Sequence, residues 1–277
     1  MIASRSFLAM CDQHIQNPES ESQRLPPFPQ KNGETVYVHP TAISNFVQFY
    51  LPQLQFKIVL LSGDSDMTVP DDIPQAQVVL DHPMIIAWYS QNCVRPGEKL
   101  HQLPIGLDFH TLARGAYSWG PQQSLDSQMQ DILTLKALNV PKISKCYANY
   151  QFLMNTRYAA DRHLAIQQVP RHLVFYEPHK TTRMVCWKNM LNFKYVISPH
   201  GNGLDCHRTW EAIFLGCIPI VRTSPLDPLF EGLPVLIVRE WSHITQRLLD
   251  TFVPDYSQIE KLELSYWKTQ FTNVVSE

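Results

Sequence analysis

The residues best suited to chemistry crowd one short stretch: His200, His207 and Arg208 sit together with Asp205 as the one acid among them. If a helix begins here, its N-terminus already carries partial positive charge and favours acidic neighbours. Basic residues at such an end cost stability unless an anion is held there. Gly201 and Gly203 lack a Cβ, so backbone N–H groups can come close to that anion, with Ser198 and Asn202 beside them. A tight turn among ordinary surface charges explains the glycines but not the basic cluster, so the residues point to a phosphate or diphosphate. Glu211 falls one helical turn further on, too far for phosphate but suited to accept both hydroxyls of a ribose. The competing reading of Glu211 is an ion pair with His207 four residues earlier.

The elements that position these groups follow from the flanking pattern. Residues 195–197 read as a strand and 209–215 as a helix in which Trp210, Ile213, Phe214 and Cys217 form one apolar stripe. Asp205 is the expected N-cap and Gly216 the C-terminal stop. His207, Arg208 and Glu211 then occupy the opposite face.

Around this segment, apolar runs bounded by turn residues predict strands at 34–39, 56–61, 77–80, 84–88 and 99–105, with a helix over 42–51. A second series follows an irregular stretch at 115–123 and a helix at 124–138: strands at 145–152, 172–176, 195–197, 218–221 and 234–238, and helices at 157–168, 182–191, 209–215 and 241–249. Continuous apolar runs suit parallel strands covered on both faces. The alternation therefore predicts an α/β fold of two Rossmann-like halves facing each other across a cleft. We expect domains at 1–141, with an extended proline-rich lead-in over 1–33, and at 142–250, with 251–277 crossing back to the first.

Composition narrows the function classes. A formal charge of −2 and the absence of any Lys/Arg block give no reason to expect a nucleic-acid partner. The six cysteines show no metal-ligand spacing and read as buried reduced thiols. No run reaches membrane-spanning length, and the first ten residues are too short and too broken by Arg5 for a signal peptide. The expectation is a soluble, cytoplasmic chain with no membrane span.

The run 198–212 (SPHGNGLDCHRTWEA) followed by 215–221 (LGCIPIV) resembles the donor-binding signature of exostosin-like glycosyltransferases. Weaker similarity extends through 56–66, 103–110 (LPIGLDFH) and 233–241 (LPVLIVREW), covering most of the chain from about Val36 to Leu249. The short form is similar to members from algae, bacteria or large viruses. The resemblance implies a GT-B fold and an inverting enzyme moving a sugar from a nucleotide sugar to a glycan hydroxyl. UDP-xylose is the slightly preferred donor over UDP-glucuronate and UDP-galactose. Ser198, His200, Gly201, Asn202, Gly203 and His207 would line the donor pocket, Arg208 would pair with the diphosphate and Glu211 would hold the ribose. Arg157 and Arg162 would add cationic contacts, although Arg157 could instead pair with Asp161. Tyr176 and Glu177 would flank the base, and Ser224 would reach the donor. No metal and no further cofactor is required on this reading. The resemblance is compatible with pairing to itself or to a related chain.

An inverting displacement needs a base for the acceptor hydroxyl. His39, Asp64, Asp66, His82, Asp108 and His110 all fall at ends of first-half strands, and Asp66, then Asp64, are favoured. Asp64-Ser65-Asp66 also has the Asp-x-Asp form by which GT-A glycosyltransferases hold a divalent metal, which makes such an enzyme the alternative. A non-catalytic glycan- or nucleotide-binding partner is the third reading.

Overall fold

The computed structural model describes residues 1–15, 22–151 and 155–276. Residues 17–21 of the proline-rich stretch, position 152 of the expected strand 145–152, and Glu277 lie outside the described residues. The chain forms two compact units, one built from Met1–Ile105 and Glu260–Glu277, the other from Gly106–Ile259. Residues 106–141 thus group with the second unit.

The first unit holds helix α1 (Ser6–Met10) and a parallel sheet of β1 (Glu34–Tyr37), β2 (Ile58–Ser62), β3 (Ile85–Ser90) and β4 (Leu100–Gln102), in the order β1-β2-β3-β4. Every residue of β2 is buried, as a central parallel strand covered on both faces must be. Residues 40–53 wind through 3-10, α and π turns, so the helix expected at 42–51 is present but irregular.

The expectation of a strand at 77–80 is corrected: these residues lie in helix α2 (Ala76–Asp81). Val79 is fully buried while neighbouring Val78 is half exposed, the one-sided burial of a helix. Joining β2 to a parallel neighbour requires a crossover, and a helix supplies it whatever the β-preference of two valines.

The second unit contains β5 (Ile143–Ala148), β6 (Val174–Tyr176), β7 (Phe193–Ile197), β8 (Ile218–Arg222) and β9 (Leu236–Val238), all parallel. Its helices are α3 (His110–Arg114), α4 (Leu125–Lys136), α5 (Ala159–Gln168), α6 (Arg183–Met190), α7 (His207–Phe214) and α8 (Gln246–Thr251). Ser124 and Thr182 cap α4 and α6 by accepting from the third residue on. The helix expected over 241–249 is in fact two pieces. A 3-10 turn at Trp241–His243 ends in extended Ile244, and Thr245 then caps α8 afresh.

The strand order β6-β5-β7-β8-β9 reverses direction between β5 and β7. In an open parallel sheet, ligands bind beyond the carboxyl ends of the strands at such a switch point. The loops that begin at Asn149 and Ser198 occupy that position.

A final helix, α9 (Leu264–Ser276), belongs to the first unit. Phe271 packs 4.7 Å from the Tyr89 ring, Trp267 lies 5.9 Å from Phe7, and the Ile2 N–H donates to the Leu262 carbonyl at 2.9 Å. The two units have separate apolar cores, with Trp88 fully buried in the first and Trp241 in the second. Among the described residues, no helix is long and apolar enough to cross a membrane.

Candidate functional site at the strand switch point

Helix α7 starts beside the switch point with its apolar stripe inward: Trp210, Ile213 and Phe214 are all buried, and so is Cys217 just beyond the helix. Fully burying one such large side chain is worth roughly 1.5–3 kcal/mol, enough to fix which face turns outward. His207, Arg208 and Glu211 are half-buried on the other face. Gly216, with φ of 68°, ends the helix in the left-handed region.

Arg208 bridges the two switch-point loops. Its Nε donates to the Asn149 carbonyl at 3.3 Å, and one terminal nitrogen donates to the Ser198 hydroxyl at 3.4 Å and to the Pro199 carbonyl at 3.3 Å. Its guanidinium carbon lies 5.2 Å from the centre of the Tyr150 ring. All of these partners are neutral. Among the described residues Glu211 makes no side-chain hydrogen bond or ion pair, so the expected competitor, a pair with His207, does not form. The carboxylate stays close enough to Cys186 to contribute, with burial, to raising that thiol to about 11.

The helix start differs from expectation in its cap. Asp205 does not cap α7; Cys206 holds that position, and no side chain caps the helix. Asp205 is buried and accepts from the Trp210 indole N–H at 2.8 Å, because the indole would otherwise be a buried donor without an acceptor. No acidic residue lies in the first turn.

Arg162 has a different job from Arg208. It is buried, donates to the His200 carbonyl at 2.8 Å and to the Gln151 carbonyl at 2.9 Å, and so ties the two loops together from beneath. Burial and the neighbouring Arg208 charge hold it below the usual arginine value. A Cβ on Gly201 would lie 3.0 Å from an Arg162 nitrogen and 3.0 Å from the Cys206 sulfur. The glycine therefore serves the packing of Arg162, and its own N–H is taken by the Gly203 carbonyl at 3.0 Å.

Other expected pocket residues are built into the scaffold. The Ser198 and Thr209 hydroxyls bond to each other at 2.8 Å, and His200 Nδ1 meets the Leu204 carbonyl at 2.9 Å. Asn202 is exposed at the loop tip, and Arg157 is exposed with its guanidinium 5.5 Å from the Tyr158 ring. Tyr176 is half-buried under Arg171, while Glu177 is buried and accepts from the Tyr147 hydroxyl at 2.9 Å and from Asn189. Ser224 accepts from the Leu226 N–H in a turn after β8.

Asp161, weighed in the sequence only as a partner for Arg157, is the organising acid. Its carboxylate is 5 % exposed and accepts from the Trp241 indole at 2.9 Å and the His200 N–H at 3.0 Å, with Arg222 at 3.4 Å. The signal for it is a carboxylate four residues before Ala165 in a predicted helix, and both residues are buried in α5.

In the same unit, Asp108, His110 and His207 converge, one ligand atom from each lying within 4.8 Å of the others. His207 Nδ1 meets the Gly106 carbonyl at 2.7 Å, and His110 Nδ1 meets Asp108 Oδ1 at 3.1 Å. Arg183 lies 3.3 Å from Asp108 Oδ2. Burial pushes the Asp108 carboxyl up, but His207, His110 and Arg183 together outweigh it and hold the group below the ordinary value. Asp108 Oδ1 also accepts from the Thr111 N–H at 3.1 Å.

In the first unit, Arg5 donates twice to Asp64 Oδ2, at 2.6 and 3.0 Å, so a cation already compensates that carboxylate. Asp66 is exposed and makes no side-chain hydrogen bond or ion pair among the described residues. His39 is buried, bonded to Thr41 and to the Asp64 carbonyl, and burial lowers His82.

Compared with known proteins, the chain matches no protein-family model, and no curated protein matches it.

Proposed function

We propose that this chain is an inverting glycosyltransferase of GT-B type that takes its sugar from a UDP-sugar, UDP-xylose being slightly preferred, and passes it to a glycan hydroxyl. One observation carries the reading: Arg208 projects from the start of a helix whose cap residue gives no side-chain bond onto the switch point of a parallel sheet, where every hydrogen-bond partner it has among the described residues is neutral. A guanidinium with no carboxylate beside it among the described residues can pair with an incoming anion. Glu211, one turn along and without a side-chain hydrogen bond among the described residues, has the acceptor chemistry a ribose diol needs.

In the proposed reaction the acceptor oxygen attacks the anomeric carbon, the bond from that carbon to the diphosphate breaks, and UDP leaves with the electron pair. Arg208 is worth more in the transition state than in the ground state, because charge grows on the leaving diphosphate as the bond lengthens. The hydroxyl proton passes to a carboxylate, for which we propose Asp66 over Asp64, since Arg5 already holds the latter. The same ion pair weighs against the metal-dependent alternative built on Asp64 and Asp66.

Calorimetric titration with UDP, followed by an acceptor screen, tests this. UDP should bind the wild-type chain and bind Arg208→Ala far more weakly, with both proteins folded. Near-normal sugar transfer by Arg208→Ala would sink the assignment, and UDP binding without turnover across a broad acceptor panel would leave a nucleotide-binding partner in its place.

A further inference from the structure

The cluster of Asp108, His110 and His207 has a reading beyond the donor pocket that His207 is expected to line. We infer that these residues form a divalent transition-metal site of the zinc class, with three protein ligands and a position left for water or substrate.

Donor type comes first. Two imidazoles and one carboxylate suit zinc and its neighbours, and three protein ligands are the number found where a fourth position stays open. All three ligand atoms lie within 4.8 Å of one another, a span one ion can close by small side-chain rotations.

The outer partners then fit. His207 Nδ1 lies 2.7 Å from a carbonyl oxygen, which can only accept, so the ring proton must sit on Nδ1. Nε2 is left with its lone pair available, the arrangement by which a metal-binding histidine is oriented. Gly106, whose carbonyl does this, holds φ of 67°, a conformation that suits glycine and aims the carbonyl. Asp108 is oriented likewise: Arg183 holds the Oδ2 side, and Oδ1, which accepts from the Thr111 N–H, is turned toward His110. Arg183 is itself fixed by a bond to Gln128 and by lying 4.4 Å over the Trp119 ring. Metal binding would replace the His110–Asp108 contact, releasing the imidazole's shared proton to solvent when the ring is charged, or shifting it to the other nitrogen when neutral.

The three side chains come from two places in the chain, the start of α3 and the start of α7, so an ion here would pin those two segments to each other. This inference goes beyond the donor-binding reading and does not depend on it.

The test is zinc titration of chelator-stripped protein without nucleotide. One zinc per chain should bind, raising the melting temperature by mass action. His110→Ala and His207→Ala should each weaken it by more than the roughly 10- to 100-fold that losing an outer partner costs, and the exposed-site control His243→Ala should leave it unchanged. Circular dichroism checks that the variants fold. Should they not fold, X-ray absorption of the zinc-loaded wild-type protein decides: imidazole scattering from two rings supports the site. No stoichiometric binding, affinity unchanged in both folded variants, or a sulfur-ligated zinc overturns it.

Discussion

Asp161 accepts the backbone N–H of His200, 39 residues away in sequence, at 3.0 Å, and the same carboxylate accepts the Trp241 indole at 2.9 Å. One buried acid thus fixes the loop after β7 and the turn after β9. Removing it leaves a buried indole N–H and the nearby Arg222 uncompensated. Asp161→Ala should cost on the order of 3 kcal/mol, the scale for breaking one side of a buried charged network. Urea denaturation reads this directly, and a change below about 0.5 kcal/mol, the scatter of neutral surface changes, would remove Asp161 from its organising place.

The two arginines that approach Tyr150 should separate on substitution. Arg208→Ala should keep the melting temperature and lose UDP affinity by about 1.5–3 kcal/mol, the worth of hydrogen bonds to a charged group. Arg162→Ala removes two bonds to loop carbonyls from a buried position and should lower stability as well as binding. Equal stability loss in both variants would mean that Arg208 is scaffold.

Glu211 offers a test by ligand truncation. If it holds the ribose, Glu211→Ala should weaken UDP, UMP and uridine by similar factors while leaving pyrophosphate binding unchanged. A loss confined to the diphosphate-bearing ligands contradicts that role.

Gly201→Ala places a methyl 3.0 Å from both an Arg162 nitrogen and the Cys206 sulfur. Overpacking of this kind costs about 1–3 kcal/mol. Thermal denaturation should show the loss in the single variant, and Gly201→Ala should cost less in an Arg162→Ala background than in the wild type, since the obstructing nitrogen is then gone.

The buried thiols set an alkaline limit. Burial raises Cys93 and Cys186 from 9.0 to about 11, and Cys146 from 9.0 to about 12. Each is held more tightly in its protonated form when folded than when unfolded. Their contribution is therefore full below pH 9.0 and is lost as pH climbs through about 11 and then about 12. Urea midpoints measured from pH 8 upward should fall over that window, and replacing Cys146 with Ala should flatten part of the fall.

Much of this architecture was written in local pattern. Trp210, Ile213 and Phe214 turn one face of α7 inward, as the expected stripe requires, and Gly216 marks its end, which leaves Cys217 buried outside the helix. All five strands of the second unit appear where apolar runs stood between turn residues. What failed was decided by distant partners. Asp205 has the side chain of a helix cap, yet the Trp210 indole claims it. Val78 and Val79 have the preference of a strand, yet the crossover between β2 and β3 makes them helical. Asp161 could not be ranked from spacing alone, because its partners His200, Arg222 and Trp241 come from three other segments. The convergence of His207 with Asp108 and His110 was hidden for the same reason, across about 100 residues of chain.

The first unit is assembled from both ends of the chain, Met1–Ile105 and Glu260–Glu277, whereas the second is one unbroken stretch, Gly106–Ile259. During synthesis the second unit can close as soon as its last strand leaves the ribosome. The first must wait, with the faces of Phe7 and Tyr89 that Trp267 and Phe271 will cover still exposed. The order in which ribosome-bound chains of increasing length become protease-resistant should therefore run second unit first, opposite to the order in which the sequence is read.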